Sequence, residues 1–358
     1  MEDDRVVTEA MKSKMVLPSE IRDESELLDV MTSPREPLVH FISGIEGPLV
    51  IVGAGGKMGP SLCVLAKRAA EAAGRDLEVI ALSRFSNESE REWLNQRGIR
   101  TQRFDALDPK DLDALPEASH VVYLVGLKFG TGSNPELTWA TNTIAPAGVA
   151  HRYSRIPMVA LSTGNVYPMV PADSMGSLEQ DPLTPIGEYA NAAVARERIF
   201  GHFSRTLGNP CALLRLNYAL DLRYGILVDL CQSILKGQPI DLAMSRANCI
   251  WQGDANDRIL RSLSLAASPA VSFNLTSPES YAIRDLAERL GAELEMTPKF
   301  QGEPSSTALL SDASLLTDRL GEPEIPIDTV IRWTARWMRH GGRTLGRPTK
   351  FQIRDGAF

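Results

Sequence analysis

The chain has 358 residues, 43% hydrophobic and 23% charged, enough apolar content for one large domain or two smaller ones. Its net charge of −7 argues against a general nucleic-acid or anionic-membrane binder, because phosphate surfaces need clustered positive charge, although a local basic patch stays open. No apolar run approaches the roughly 20 residues that cross a bilayer, and the opening MEDDRVVTEA lacks the basic and apolar regions of a secretory signal, so a cytoplasmic protein is expected.

Residues 1–47 are polar, with weak helical patterns at 24–31 and 37–45, and suggest an N-terminal extension packed on the outside. From Pro48 short apolar runs alternate with helical patterns: LVIV at 49–52, LEVIAL at 77–82, HVVYLV at 120–125 and PMVAL at 157–161. Such alternation predicts βαβ units and an α/β, Rossmann-type doubly wound parallel sheet covered on both faces. CALLRL at 211–216 and VSFNL at 271–275 add further strands, which gives a dinucleotide-binding domain over 48–218. Residues 219–340 read mainly as a smaller, interleaved substrate-binding lobe, since ligands bind where such a sheet meets additional structure. The closing stretch 341–358 is basic and aperiodic, either a tail that docks on a partner subunit or a mobile end.

Cys63, Cys211, Cys231 and Cys249 stand far apart with no CxxC pair, so buried reduced thiols are expected. The five histidines show no HxxxH or HxH spacing, and no metal ligand set is visible.

Directly after the first strand comes Gly53-Ala54-Gly55-Gly56-Lys57-Met58-Gly59, followed by a helical run that opens with Pro60. Gly53 permits a tight turn, Gly56 lets backbone approach a pyrophosphate, and Gly59 allows close helix-on-strand packing, while free N–H groups at the helix start attract phosphate. Gly55, Lys57 and Met58 complete this cofactor-binding turn; a glycine turn with no ligand is the competing reading. At the end of the second strand an NAD-preferring site usually places Asp or Glu, but Ser83 and Arg84 stand there. A hydroxyl and a guanidinium suit the 2′-phosphate of NADP, so NADP is preferred over NAD, unless Arg84 is only a solvated cation. Asp105 is either an adenine ligand or a plain turn aspartate.

Over roughly 48–339 the chain resembles the extended short-chain dehydrogenase/reductases, the NAD-dependent epimerase/dehydratase family. Gly53, Gly56 and Gly59 match the TGxxGxxG turn, with Val52 in place of Thr. Asn142 in TWATNT looks like the family asparagine on the helix after the fourth strand. LSTGNVYP at 161–168 is similar to SSxxVYG, which puts Ser162 and Thr163 at the catalytic serine/threonine positions and Asn165 on the substrate side. Tyr189 in GEYANAAVARE matches the catalytic tyrosine, with Glu197 at the trailing glutamate.

The family motif is YxxxK, and here its last position is Ala193. A tyrosine of ordinary acidity is only about 0.1% phenolate at pH 7, so the missing lysine matters. Arg196 lies about two helical turns from Tyr189, roughly 10 Å along the axis, and reads as a poor substitute. VGLK at 125–128 resembles the AGLK loop of UDP-galactose 4-epimerases, which offers Lys128 as a replacement cation; a solvated loop lysine or a phosphate contact is the competing reading. CALLRLNYALDLRYGIL and NCIWQGDAND resemble later family segments. They imply Arg215, Asn217, Arg223, Tyr224 and Trp251 as substrate-side groups, with Gln252 and Asp254 available to line a pocket; each also reads as packing within its own domain.

The leading expectation is an NAD(P)-dependent oxidoreductase or epimerase acting on a hydroxyl or carbonyl carbon of a small polar substrate, sugar-derived ones included. Tyr189 would exchange the proton and Ser162 or Thr163 would bind the same oxygen. Ala193 supports the alternative, a catalytically silent NAD(P)-binding sensor, scaffold or partner subunit. Elimination or isomerisation without net redox is a third reading. The resemblance also implies a homodimer through the helix carrying Tyr189 and the one before it, while an apolar stripe on such helices reads equally as core.

Overall fold

A computed structural model describes residues 17–128, 130 and 133–356, so the first 16 residues of the expected extension lie outside the described residues. Seven strands form one parallel sheet: β1 (Leu49–Val52), β2 (Val79–Ser83), β3 (Arg100–Arg103), β4 (His120–Tyr123), β5 (Met158–Thr163), β6 (Cys211–Leu216) and β7 (Val271–Leu275), in the order β7-β6-β5-β4-β1-β2-β3. The chain leaves the β1-β2-β3 half and returns on the other side of β1 as β4, which opens a crevice beyond the carboxyl ends of β1 and β4. β3 is the strand the apolar pattern does not announce. It is an edge strand of sequence RTQR with exposed ends, and it needs no hydrophobic run.

Side chains alternate across each strand, so β1 feeds two cores. Leu49 and Ile51 face one layer, made by α2 (Glu36–Ser43), α3 (Gly59–Ala72) and α9 (Gln252–Arg261). Val50 and Val52 face the other, made by α6 (Pro135–Arg152) and α7 (Gly187–Leu207). All four β1 residues are fully buried, which is why this strand reads as an unbroken apolar run. Two shorter helices, α4 (Glu88–Asn95) and α5 (Pro109–Asp113), complete the crossovers to β3 and β4.

The second lobe has its own core. α8 (Ile226–Leu235), α10 (Ile283–Leu294) and α12 (Ile327–Arg339) bury Leu230, Leu286, Leu290 and Trp333 against one another, while α11 (Ser314–Leu320) leans back on the sheet domain. α1 (Glu24–Met31) of the N-terminal segment, capped by the Asp23 carboxylate on the N–H groups of Ser25 and Glu26, drives Leu27 and Met31 into this core. The four cysteines are free and buried.

The C-terminal segment folds back on its own chain. Arg343 pairs with Glu24 at 2.6 and 2.7 Å, and Thr349 donates its N–H and hydroxyl to Asp229 Oδ2 at 2.8 and 2.5 Å. Phe351 enters the lobe core, and Arg354 donates to Thr307 O at 2.8 Å and Oγ1 at 2.6 Å. Two residues beyond Arg354, Gly356 lies against Gly187 at the start of α7, where a Cβ on Gly187 would stand 2.6 Å from Gly356 O. The absence of periodicity in this stretch reflects single anchors spaced along an extended chain.

Candidate functional site

The glycine turn leads directly from β1 into α3. Gly53 has φ +89, a backbone region that side chains disfavour, and a Cβ there would meet Val125 N at 2.9 Å. Gly59 is more constrained: a Cβ would stand 2.2 Å from Ala54 O, so any side chain forces helix and strand apart. No side chain caps the first turn of α3, and Pro60, which has no N–H to leave unpaired, sits in that turn. Ser83 at the end of β2 lies against the turn, since a Cβ on Gly55 would be 2.6 Å from its hydroxyl. Arg84 next to it is exposed, and no carboxylate follows the strand. The Asp105 carboxylate, further round, accepts the Leu107 N–H at 3.0 Å and so braces its own turn.

Next to the turn, and lined in part by it, is a cavity of about 220 Å³. Tyr189 from α7, Ser162 and Thr163 from the end of β5, Asn165, and Lys128 from the loop after β4 line it, together with Lys57, Met58, Asn217 and Tyr224. Sequence positions as far apart as 57 and 349 therefore meet at one site.

Ser162 and Thr163 differ. The Ser162 hydroxyl donates to Glu197 at 2.5 Å, and Glu197 is held by Arg215 in a nearly fully buried ion pair at 2.7 Å. Arg215 also donates to Tyr167 Oη at 2.6 Å and Glu179 O at 2.9 Å. All these donors are committed inside the protein, so Arg215 holds β6 to α7 and lies away from the cavity. Thr163 Oγ1 accepts from the Asn165 backbone and side-chain amides at 3.2 and 3.1 Å, leaving its own proton to donate. Asn217, 3% exposed, donates to Ser311 Oγ at 3.0 Å.

Arg196 is the group that helical rise alone misjudges. On α7 its side chain leans back toward the helix start, and its guanidinium lines the same cavity as Tyr189. Nη1 donates to Val125 O at 3.1 Å and to Asn142 Oδ1 at 2.8 Å, and buried Nε has no partner. Gly126 makes room for it, since a Cβ there would lie 2.5 Å from Nη1. Asn142 is fully buried and spends its amide on Thr138 O at 2.8 Å, so it orients Arg196. Ala193 packs against Val166 and Tyr167 in a small apolar cluster.

Four expected residues stand elsewhere. Trp251 is 2% exposed and stacks edge-on against Trp333 at 5.5 Å in the lobe core. Arg223 is held by Asp221 at 2.8 Å and Glu24 at 3.1 Å. Asp254 pairs with Arg35, and Gln252 donates to Ser61 Oγ at 3.0 Å. All lie outside the cavity lining.

Burial pushes Lys57 and Lys128 down to about 8. Asp221 opposes this at Lys57, while Arg223 and Lys128 add to it; Asp229 opposes it at Lys128, while Lys350 adds to it. Lys57 Nζ donates to Ala219 O at 2.7 Å and stands 4.5 Å above the Tyr224 ring.

No protein-family model and no curated protein matches the sequence. Solved structures do match. A dTDP-glucose 4,6-dehydratase from Bacillus anthracis in complex with NAD superimposes with a TM-score of 0.68 at 14% identity, covering 82% of this chain and 97% of that one. A Thermus thermophilus UDP-glucose 4-epimerase in complex with NAD gives 0.66 at 19% identity, over 82% and 99%. A Bacillus cereus UDP-glucuronic acid 4-epimerase in complex with UDP-glucuronic acid and NAD gives 0.67 at 15%, again over 82% and 99%. The chain has the fold of these sugar-nucleotide epimerase and dehydratase structures. This chain spans almost all of each neighbour and adds length of its own. Among the described residues no helix is long and apolar enough to cross a membrane, and no cluster of metal-ligating side chains occurs.

Proposed function

We propose that this chain is an NAD(P)-dependent oxidoreductase or epimerase acting on a hydroxyl or carbonyl carbon of a small polar substrate. The observation that carries the reading is the meeting of Tyr189, Thr163 and a buried arginine in one cavity, next to the glycine turn. The uncapped start of α3 and the constrained glycines suit a pyrophosphate, and Ser83 with Arg84 suits a 2′-phosphate, which favours NADP. When bound, the nicotinamide gives or takes a hydride at the substrate carbon. The chain's own residues do the rest. Thr163 donates its hydroxyl proton to the substrate oxygen, and Tyr189 exchanges a proton with the same oxygen. Ser162 keeps Glu197 satisfied and fixes the end of β5. Arg196 takes the part of the missing lysine, as the buried cation in the cavity that Tyr189 lines.

The exposed Leu137, Trp139 and Ile144 on α6 support a homodimer through α6 and α7, and the free buried thiols suit a reducing, cytoplasmic setting. The test is oxidation or reduction of NADP over a panel of sugars and hydroxy acids, with Tyr189→Phe alongside. Turnover that disappears in Tyr189→Phe while cofactor binding persists supports the reading. Cofactor binding with no turnover on any substrate favours a silent dinucleotide-binding protein, for which Ala193 speaks.

A further inference from the structure

The cavity beside Tyr189 is lined by Lys57, Lys128 and Arg196 and by no carboxylate among the described residues. The acids that act on the two lysines, Asp221 and Asp229, stand outside this lining and are already engaged. Asp221 is held by Arg223 at 2.8 Å, and Asp229 accepts both donors of Thr349. Arg196 is 4% exposed, its Nε has no partner, and its Nη1 donates to neutral oxygens of Val125 and Asn142. Gathering cations in a half-closed space costs desolvation and mutual repulsion, and an incoming anion offsets that cost.

The C-terminal segment sets the size of what enters. Thr349 forms part of the wall, and Lys128 Nζ donates to Thr349 O at 3.4 Å. The segment is pinned on both sides of the site, by Asp229 and Thr307 in the lobe and by Gly187 at the start of α7. The remaining space, about 220 Å³, is below the roughly 300–1,000 Å³ of pockets that hold drug-sized ligands.

We propose that this cavity takes a small substrate bearing a carboxylate or phosphate, whose anionic group is held by Lys57 and Lys128 while its reacting oxygen meets Tyr189. This rests on the cavity being the nicotinamide end of the site. The segment carrying Thr349 acts as a fixed wall that excludes larger substrates.

The experiment is calorimetry on the full chain saturated with NADP, and separately on the cofactor-free chain, titrated with glycolate, inorganic phosphate and the neutral isostere glycolamide. The expected result is binding of glycolate or phosphate at least tenfold tighter than glycolamide, weakened at least tenfold in Lys57→Met and in Lys128→Met and retained in the two Lys→Arg variants. Tighter phosphate identifies a phosphorylated substrate; tighter glycolate identifies a carboxylic acid. Glycolamide binding as well as glycolate overturns the proposal. So does undiminished anion binding in the folded double methionine variant, or phosphate that competes with NADP, which would place the lysines on the cofactor's own pyrophosphate. Anion binding without any NADP binding leaves the anion site standing and removes the cofactor reading instead.

Discussion

Gly126→Ala separates the cation's position from its presence. The added methyl would lie 2.5 Å from Arg196 Nη1, well inside the about 3.5 Å of an ordinary contact. The guanidinium must then leave Val125 O and Asn142 Oδ1, and a hydrogen bond from a charged donor is worth about 1.5–3 kcal/mol. In Arg196→Met the cation is lost altogether. Arg196 follows Tyr189 by seven residues, a rise of about 10.5 Å, and its side chain leans back along the helix into the cavity that Tyr189 lines. A unit charge at about 8–10 Å across an effective dielectric of about 20 is worth about 2 kcal/mol, a factor of about 30 in rate. We therefore expect kcat/KM at neutral pH to fall about 30-fold in Arg196→Met, and the pH–rate profile to move to higher pH in both variants. Arg196→Lys should recover part of the loss. A uniform loss at every pH, or turnover unchanged in Arg196→Met, would refute the assignment.

Gly59→Ala, whose methyl would stand 2.2 Å from Ala54 O, should abolish measurable nucleotide binding in calorimetry while far-UV circular dichroism shows a folded chain. Arg84→Ala should lower NADP affinity roughly tenfold, the effect of about 1.4 kcal/mol, and leave NAD affinity unchanged; equal loss for both would remove the 2′-phosphate reading. Arg215→Met strands buried Glu197 and should cost about 3–5 kcal/mol in urea unfolding, far more than an exposed ion pair such as Arg22–Glu26. Lys57 and Lys128 are pushed down to about 8, so glycolate or phosphate binding should be complete below that pH and weaken as pH rises through it. Asp221 faces Lys57 and Asp229 faces Lys128, and a bound anion moves the midpoint upward.

The sheet was legible because its central strands are buried on both faces and so read as apolar runs, and the glycine turn because steric limits at Gly53 and Gly59 leave no other residue. β3 was not, since a polar edge strand carries no apolar signature. The site was legible where chemistry is tied to a motif: Tyr189, Thr163 and the turn converge as their order implies. It was not where reach decides. Arg196 looks too distant by helical rise, yet a long side chain leaning toward the helix start arrives in the cavity, and Gly126, read only as part of a loop, is what admits it. Arg215 and Trp251 show the converse: residue type suggested a ligand, while burial and partners made them internal ties. Thr349 carries no sequence signal, because a single anchor in an aperiodic tail has no pattern to read.

The most direct measurement is calorimetric titration of the purified chain with NADP and with NAD. We expect saturable one-site binding, tighter for NADP and absent in Gly59→Ala. A folded chain that binds neither nucleotide would contradict the account at its root.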